Sequence, residues 1–246
     1  MIDPLLNRHS GLKKRLKSIP LRHEILHIDL IHTYVGLLCR GKNDFEAVDG
    51  VRQNLFFQRA LGIGHIPSSA RLRQRFDEQA EALTAAVDDC LAPLLKNLRA
   101  PVTPLSTGHV TLRVDVFCLD AETADAATVI TLYRQCGTSG QYHSEFKTDL
   151  DLERLPSGKF ATNALMMALA AMAYNLLRYV GQNTLIGPDA PLHKTLHRCS
   201  IRTVMQEMIY KAAHLVRHVR RYILRFGRGD PEYHALARCH AHILTL

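Results

Sequence analysis

The chain has 246 residues, 47% of them hydrophobic and 22% charged, with a formal net charge of +8; this excludes a disordered or collagen-like chain and leaves one large domain or two small ones. Residues 159–246 hold 12 of the 31 Lys/Arg but only four of the 23 Asp/Glu, so the whole positive excess lies there. A basic end favours a polyanionic partner, most often nucleic acid, with a solvated basic face as the plain alternative.

Residues 22–40 have the broad apolar face of a helix, ended by Gly41. Asp44–Leu61 reads as a second helix, with Ala47, Val51, Leu55 and Phe56 on one side. Ser68 or Ser69 can cap a third, whose stripe Leu72, Phe76, Leu83, Val87 and Leu91 runs to Pro93. Arg71, Arg73 and Arg75 crowd its first turns, where cations oppose the helix dipole. A DNA backbone would suit them; ordinary surface arginine is the alternative. After the Ala100–Gly108 linker the period changes. Val110, Leu112, Val114, Val116 and Cys118 alternate with Thr111, Arg113, Asp115 and Phe117, which is a strand signal.

Ala126–Cys136 is helical in pattern, Gly137 and Gly140 break it, and a short helix resumes near Gln141–Thr148. Lys159–Gly181 is an apolar helix. Its longest run without strongly polar residues, Ala164–Tyr174, has 11 residues, against ~20 for a bilayer span, so it is expected in a core and not in a membrane. Thr195–Phe226 reads as one long amphipathic helix on Ile201, Val204, Met208, Ala212, Leu215, Val219 and Ile223. Its far half carries Arg217, Arg220, Arg221, Arg225 and Arg228. Pro231 starts a last short helix. Six cysteines without a CxxC pair read as reduced thiols in a cytoplasmic protein.

Three groups could carry chemistry. His23-Glu24-Ile25-Leu26-His27 matches HExxH, in which histidines one helical turn apart bind zinc and the glutamate acts as base. A zinc peptidase is therefore one alternative, although the extended form of the motif would need Gly and His where Leu30 and Thr33 stand. Chance HxxxH pairs are expected among 14 histidines, and His193/His197 and His214/His218 are two more. Asp115 is the second candidate: an acid within an apolar strand often holds a divalent metal, with a solvated outer face as the alternative.

The third is Tyr133-x2-Cys136-x3-Gly140-x6-Lys147. With GTSGQYHSEFKTDLDLERLPSGKFATNAL and AYNLLRYVGQ after it, this stretch resembles the third catalytic block of the DDE transposases of bacterial insertion sequences, in the branch called DDE domain group 1. YVGLLCRGKNDFEAVDGVRQNLFFQRALG, IPSSARLRQRFD, HVTLRVDVFCLD and the basic tail resemble other parts of that branch, so the resemblance spans nearly the whole chain.

The resemblance implies an RNase H-like core in which three acids hold two magnesium ions for attack on DNA phosphodiesters. It also implies a Tyr-x2-Arg-x3-Glu-x6-Lys signature. Tyr133 and Lys147 match it, Cys136 stands at the arginine, and Gly140 stands at the catalytic glutamate. Asp115 matches the first acid and metal ligand, with Asp120 as the register alternative. The second acid has no counterpart, since between Asp120 and Ala126 the sequence passes almost directly from the first-acid strand to the third block. Glu145, five residues past Gly140, is the available surrogate for the lost acid, on a different helical face.

The expected architecture is mainly α with a small β remnant: a truncated RNase H-like core over 101–158, flanked by helical regions over 1–100 and 159–246. The expected function is that of an internally truncated, catalytically dead transposase. The alternative is a non-catalytic DNA-binding remnant. Magnesium is the expected cofactor. DNA and a second copy or an intact transposase are the expected partners, with Arg71, Arg73, Arg75, Arg217, Arg220, Arg221 and Arg225 on the DNA.

Overall fold

A computed structural model describes residues 2–21, 24–100, 140–186, 190–191, 198–219, 221–227 and 229–246. The predicted strand over Val110–Leu119 and the predicted helix over Ala126–Cys136 lie outside the described residues. The chain starts with α1 (Ile2–Pro4), which widens into a π-helical turn over Leu5–His9, and α2 (Leu12–Leu16). These short pieces bury Leu5, Leu6, Leu12 and Leu16.

Helix α3 (His27–Leu38) is buried over nearly its whole circumference. A helix apolar on all sides belongs inside a fold. It begins later than the pattern predicts, because Glu24 and Ile25 form a bend and Leu26 is still extended. Asp29 in its first turn accepts from the amides of Gly64 and His65 at 3.1 and 2.9 Å. That contact ties the loop after α4 to the helix start.

The predicted helix over Asp44–Leu61 is two pieces. Asp44 caps a 3-10 turn over Phe45–Val48, residues 49–53 turn, and Asn54 caps α4 (Leu55–Ala60). Short polar side chains that bond nearby amides start new turns more readily than they continue a helix. Helix α4 lies close against α3: a Cβ at Gly36 would stand 2.3 Å from Leu61 Cδ1.

Helix α5 (Ser69–Asn97) begins at the predicted cap, where Ser68 accepts from the Arg71 amide. It kinks at Gln79 and continues past Pro93 to Asn97. Burial of Leu94 and Leu98 holds that last turn, an instance of packing outweighing local propensity. Helix α6 (Phe160–Thr184) runs as predicted and lies chiefly along α5. Thr162 and Lys159 both bond Asp77, at 2.6 and 2.9 Å, and fix the start of α6 on α5. Alone among the described helices α6 is long and apolar enough to cross a membrane, but 56% of that apolar window is buried within the fold.

Tyr34, Phe45 and Phe76 meet in the core, with Tyr34 edge-on to Phe76 at 5.4 Å. Burial pushes the Tyr34 phenol well above its ordinary range, and its hydroxyl donates to the Asn43 carbonyl at 2.7 Å. One apolar cluster includes residues from both helical regions, before 100 and after 159.

The long helix expected over Thr195–Phe226 is not formed. Helix α7 (Ile201–Val204) passes into a π-helical turn over Met205–Ile209, and then the chain becomes an antiparallel hairpin. Its strands are β1 (Ala213–His218) and β2 (Arg221–Phe226), the two strands among the described residues. The apolar spacing also fits a helix, but Val216, Val219, Tyr222, Ile223 and Phe226 are β-branched or aromatic and favour a strand. The two-residue turn carries no Asn-Gly or Asp-Gly signal to mark it, and Val219 holds φ of 55° there. Helix α8 (Pro231–Thr245) closes the chain, with Asp230 as cap and Pro231 in its first turn. It buries Ala235, Cys239 and Ile243 against the body.

Candidate functional site

The described part of the third block is a helical segment over 140–144 followed by a π-helical turn over Glu145–Asp149. Gly140, Gln141, Ser144, Glu145 and Asp149 line a shallow cleft with Arg198, Ser200 and Arg202. Among the described residues nothing stands within 4 Å of the place a Gly140 Cβ would occupy. A longer side chain would therefore meet none of the described residues there.

Glu145 is buried, and its carboxylate is fully engaged. Arg198 donates to Oε2 in a short ion pair, Tyr174 Oη donates to the same oxygen at 2.8 Å, and the Ile201 amide approaches Oε1 at 3.3 Å. Arg198 also lies over the Tyr142 ring, 4.6 Å from its centre, and Phe146 stacks on Tyr174 at 4.8 Å. Burial, with the Glu145 carboxylate opposing any phenolate, raises the Tyr174 hydroxyl far above its ordinary range. Asp149 is paired with Arg202 at 2.8 Å. Both acids are thus held by arginines. A carboxylate neutralised in this way is a joint between segments, and ligating a divalent ion would require breaking that joint.

Among the described residues no group of three His, Cys, Asp or Glu side chains could hold a metal. The described residues around Gly140 therefore do not by themselves fit a magnesium pair. Asp115, Asp120, Tyr133 and Cys136 lie outside the described residues. Lys147 is exposed and sits 3.3 Å from Glu153, not among the residues lining the cleft.

The HExxH reading loses its helical premise. Glu24 lies in the bend before α3, and His23 is outside the described residues. His27 is buried, with Nδ1 3.0 Å from an Arg75 guanidinium nitrogen and Nε2 3.3 Å from the Pro20 carbonyl. Burial, and then the Arg75 charge, lower its pKa below 6.5. Both ring nitrogens have protein partners, so the ring is a core histidine.

The arginines at the start of α5 also divide. Arg71 bonds Gln74, and Arg73 bonds Glu46 at 2.6 Å and lies over Phe45. Arg75, grouped with them as a DNA contact, is fully buried beside His27 and cannot reach a phosphate. Helical periodicity turns it inward, one position before Phe76.

The basic tail gives a different geometry from the one predicted. Arg217 is in β1 and Arg221 and Arg225 are in β2, all three exposed; Arg220 lies outside the described residues. The register His214↔Arg225, Val216↔Ile223, His218↔Arg221 puts these six residues on one face of the ribbon. On the other face, Phe226 meets Tyr233 of α8 at 5.3 Å and Arg59 of α4 lies over Tyr222 at 5.2 Å. His214 and His218, one turn apart in a helix, are about 13 Å apart along a strand and cannot share a metal.

The base of the ribbon is closed by Lys211, which meets Glu232 at 2.9 Å, Glu207 at 3.5 Å and Asp230 at 4.0 Å. Against the cost of its own partial burial, hydrogen bonds with the Asp230 side chain, with Lys211 and with its own backbone amide hold the Glu232 carboxyl down at about 2. Sequence reasoning missed this cluster and the Glu145–Arg198–Tyr174 joint. Both join residues far apart in the chain or on either side of an unrecognised hairpin, so no local signal marks them.

A family model described as transposase DDE domain, group 1, matches residues 100–246, well over half of the chain. No curated protein and no solved structure matches it.

Proposed function

Because the chain belongs to the group 1 family of DDE transposases, we propose that it is an insertion-sequence transposase reduced to DNA binding without strand transfer. The observation that carries this reading is the state of the third block. Gly140 occupies the position of the family's glutamate, and the nearest acid, Glu145, is held by Arg198, Tyr174 and the Ile201 amide. In this reading residues 101–158 are the remainder of an RNase H-like core, shortened where the second acid should lie. Residues 1–100 and 159–246 are its helical flanks. Asp115 and Lys147 are survivors of the catalytic signature, and a magnesium ion would find too few carboxylates to be held for chemistry.

The partner is DNA, in the cytoplasm, and the chain acts alone, with a second copy, or beside an intact transposase. Purified full-length protein is incubated with supercoiled plasmid and magnesium or manganese. The expected result is no nicking and no joined product, both for the wild type and for Gly140→Glu, since one restored acid does not rebuild a two-metal site. That substitution should change stability by no more than about 0.5 kcal/mol, because the added side chain meets nothing among the described residues. Metal-dependent cleavage by the wild type would overturn the inactive reading. Activity gained by Gly140→Glu would overturn the loss of the second acid.

A further inference from the structure

The feature that the preceding reading does not use is the ribbon's free face. Residues 213–226 contain four arginines, two histidines and no acid. Three of the four acids of residues 159–246, Glu207, Asp230 and Glu232, converge on Lys211 at the ribbon base. They are thereby drawn away from the arginines. Among the described residues none of Arg217, Arg221 and Arg225 is in an ion pair. Among the described residues the fold thus gathers three of the tail's acids at the base and leaves Arg217, Arg221 and Arg225 without a carboxylate partner on the arm.

The free face is ordered. His214 and Arg225 form one cross-strand pair, His218 and Arg221 another, and Val216 with Ile223 lies between them. All four basic side chains are exposed, and Ile223 is 41% exposed. Four residues of strand separate the basic pairs by about 13 Å, close to the ~12 Å width of the B-DNA major groove, which admits a two-stranded ribbon. On the opposite face Tyr222 and Phe226 meet α4 and α8, so the outer face is the one that carries both basic pairs clear of the body.

We propose that the β1–β2 ribbon binds duplex DNA by its outer face, lying across the major groove. The His214/Arg225 and His218/Arg221 pairs meet phosphates on the two rims, and Val216 and Ile223 face the base edges, where thymine methyls are the matching apolar groups. Double-stranded RNA does not fit, because its major groove is too deep and narrow for side chains to read. This inference rests on the reading of the chain as a DNA-binding transposase and assigns that binding to one surface.

The test uses the full chain and fluorescence anisotropy with a short mixed-sequence DNA duplex over a range of salt. Wild type is compared with Arg221→Gln/Arg225→Gln, with Arg217→Gln on the opposite face, and with Val216→Ser/Ile223→Ser. The double arginine variant should bind about tenfold or more weakly, with the slope of log K against log salt reduced by about 2. Arg217→Gln should bind like wild type. The serine pair should weaken binding and leave the salt slope unchanged, and thermal unfolding checks that each variant is folded. Equal losses for Arg217→Gln and Arg225→Gln single variants, or an unchanged double variant, overturn the ribbon while leaving DNA binding standing. No binding by wild type even at low salt overturns both the ribbon and the DNA-binding reading. Equal affinity for an RNA duplex of the same sequence overturns the groove placement.

Discussion

The helical body and the ribbon handle charge in opposite ways. In the body, charged groups that come near the core are answered: Asp29 by two amides, Glu145 by Arg198 and Tyr174, Asp77 by Thr162 and Lys159. In the ribbon, arginines stand in water without counter-charges, on strands whose burial is only partial. Desolvation explains the difference. A buried charge without a partner costs several kcal/mol, whereas an exposed one costs little and remains free to meet a polyanion. Stability therefore resides in the body, and in the proposed reading affinity for DNA resides in the arm.

The sharpest way to test that division is to damage the body alone. Leu169 on α6 is fully buried, so Leu169→Ala should cost about 2–5 kcal/mol, read as a lower urea midpoint. The arginines of the ribbon, substituted to glutamine, should leave that midpoint nearly unmoved. If both regions cost alike, the two are not separable.

Acid should also strike the body first. Burial lowers the pKa of both His27 and His32 below 6.5. The unfolded chain then binds more protons than the native one as pH falls below 6.5, so stability declines from that point downward. Urea midpoints across pH 7 to 5 should fall, and His32→Gln should flatten the decline. A midpoint independent of pH over that window would contradict the neutral burial of these rings.

The smallest expected effect is at the ribbon base. Glu232→Gln should loosen the arm by about 1 kcal/mol or less, as befits a partly exposed ion pair. Hydrogen exchange should quicken in residues 213–226 and not in α6. The carboxyl of Glu232 is held below its usual 4.5, near 2. Its contribution is thus complete above 4.5 and is lost as pH falls through about 2. Uniform acceleration over the whole chain would mean that the ribbon is part of the body's cooperative unit.

The helices at α5, α6 and α8 were legible because long apolar stripes with a cap or a proline leave few alternatives: Ser68, Lys159 and Pro231 stand where the helices start. The segment after Met205 was not. Its apolar residues satisfy a helical period and a strand period alike, and its turn lacks glycine. Arg75 shows the same limit at a single residue. A charged side chain reads as surface in a sequence, yet this one is buried beside His27, whose Nδ1 lone pair accepts a hydrogen bond from the guanidinium.

By itself the sequence determined the family, which the match over residues 100–246 shows, and the net charge of the tail. Those are properties of chain order and composition, which folding does not alter. Only the tertiary structure decided that Glu145 is held by Arg198, that Arg75 is inside, and that Glu207, Asp230 and Glu232 gather on Lys211 while Arg217, Arg221 and Arg225 share a ribbon. Each of these depends on which distant residues meet and how much water remains around them, and burial and long-range pairing are set by the packed chain as a whole.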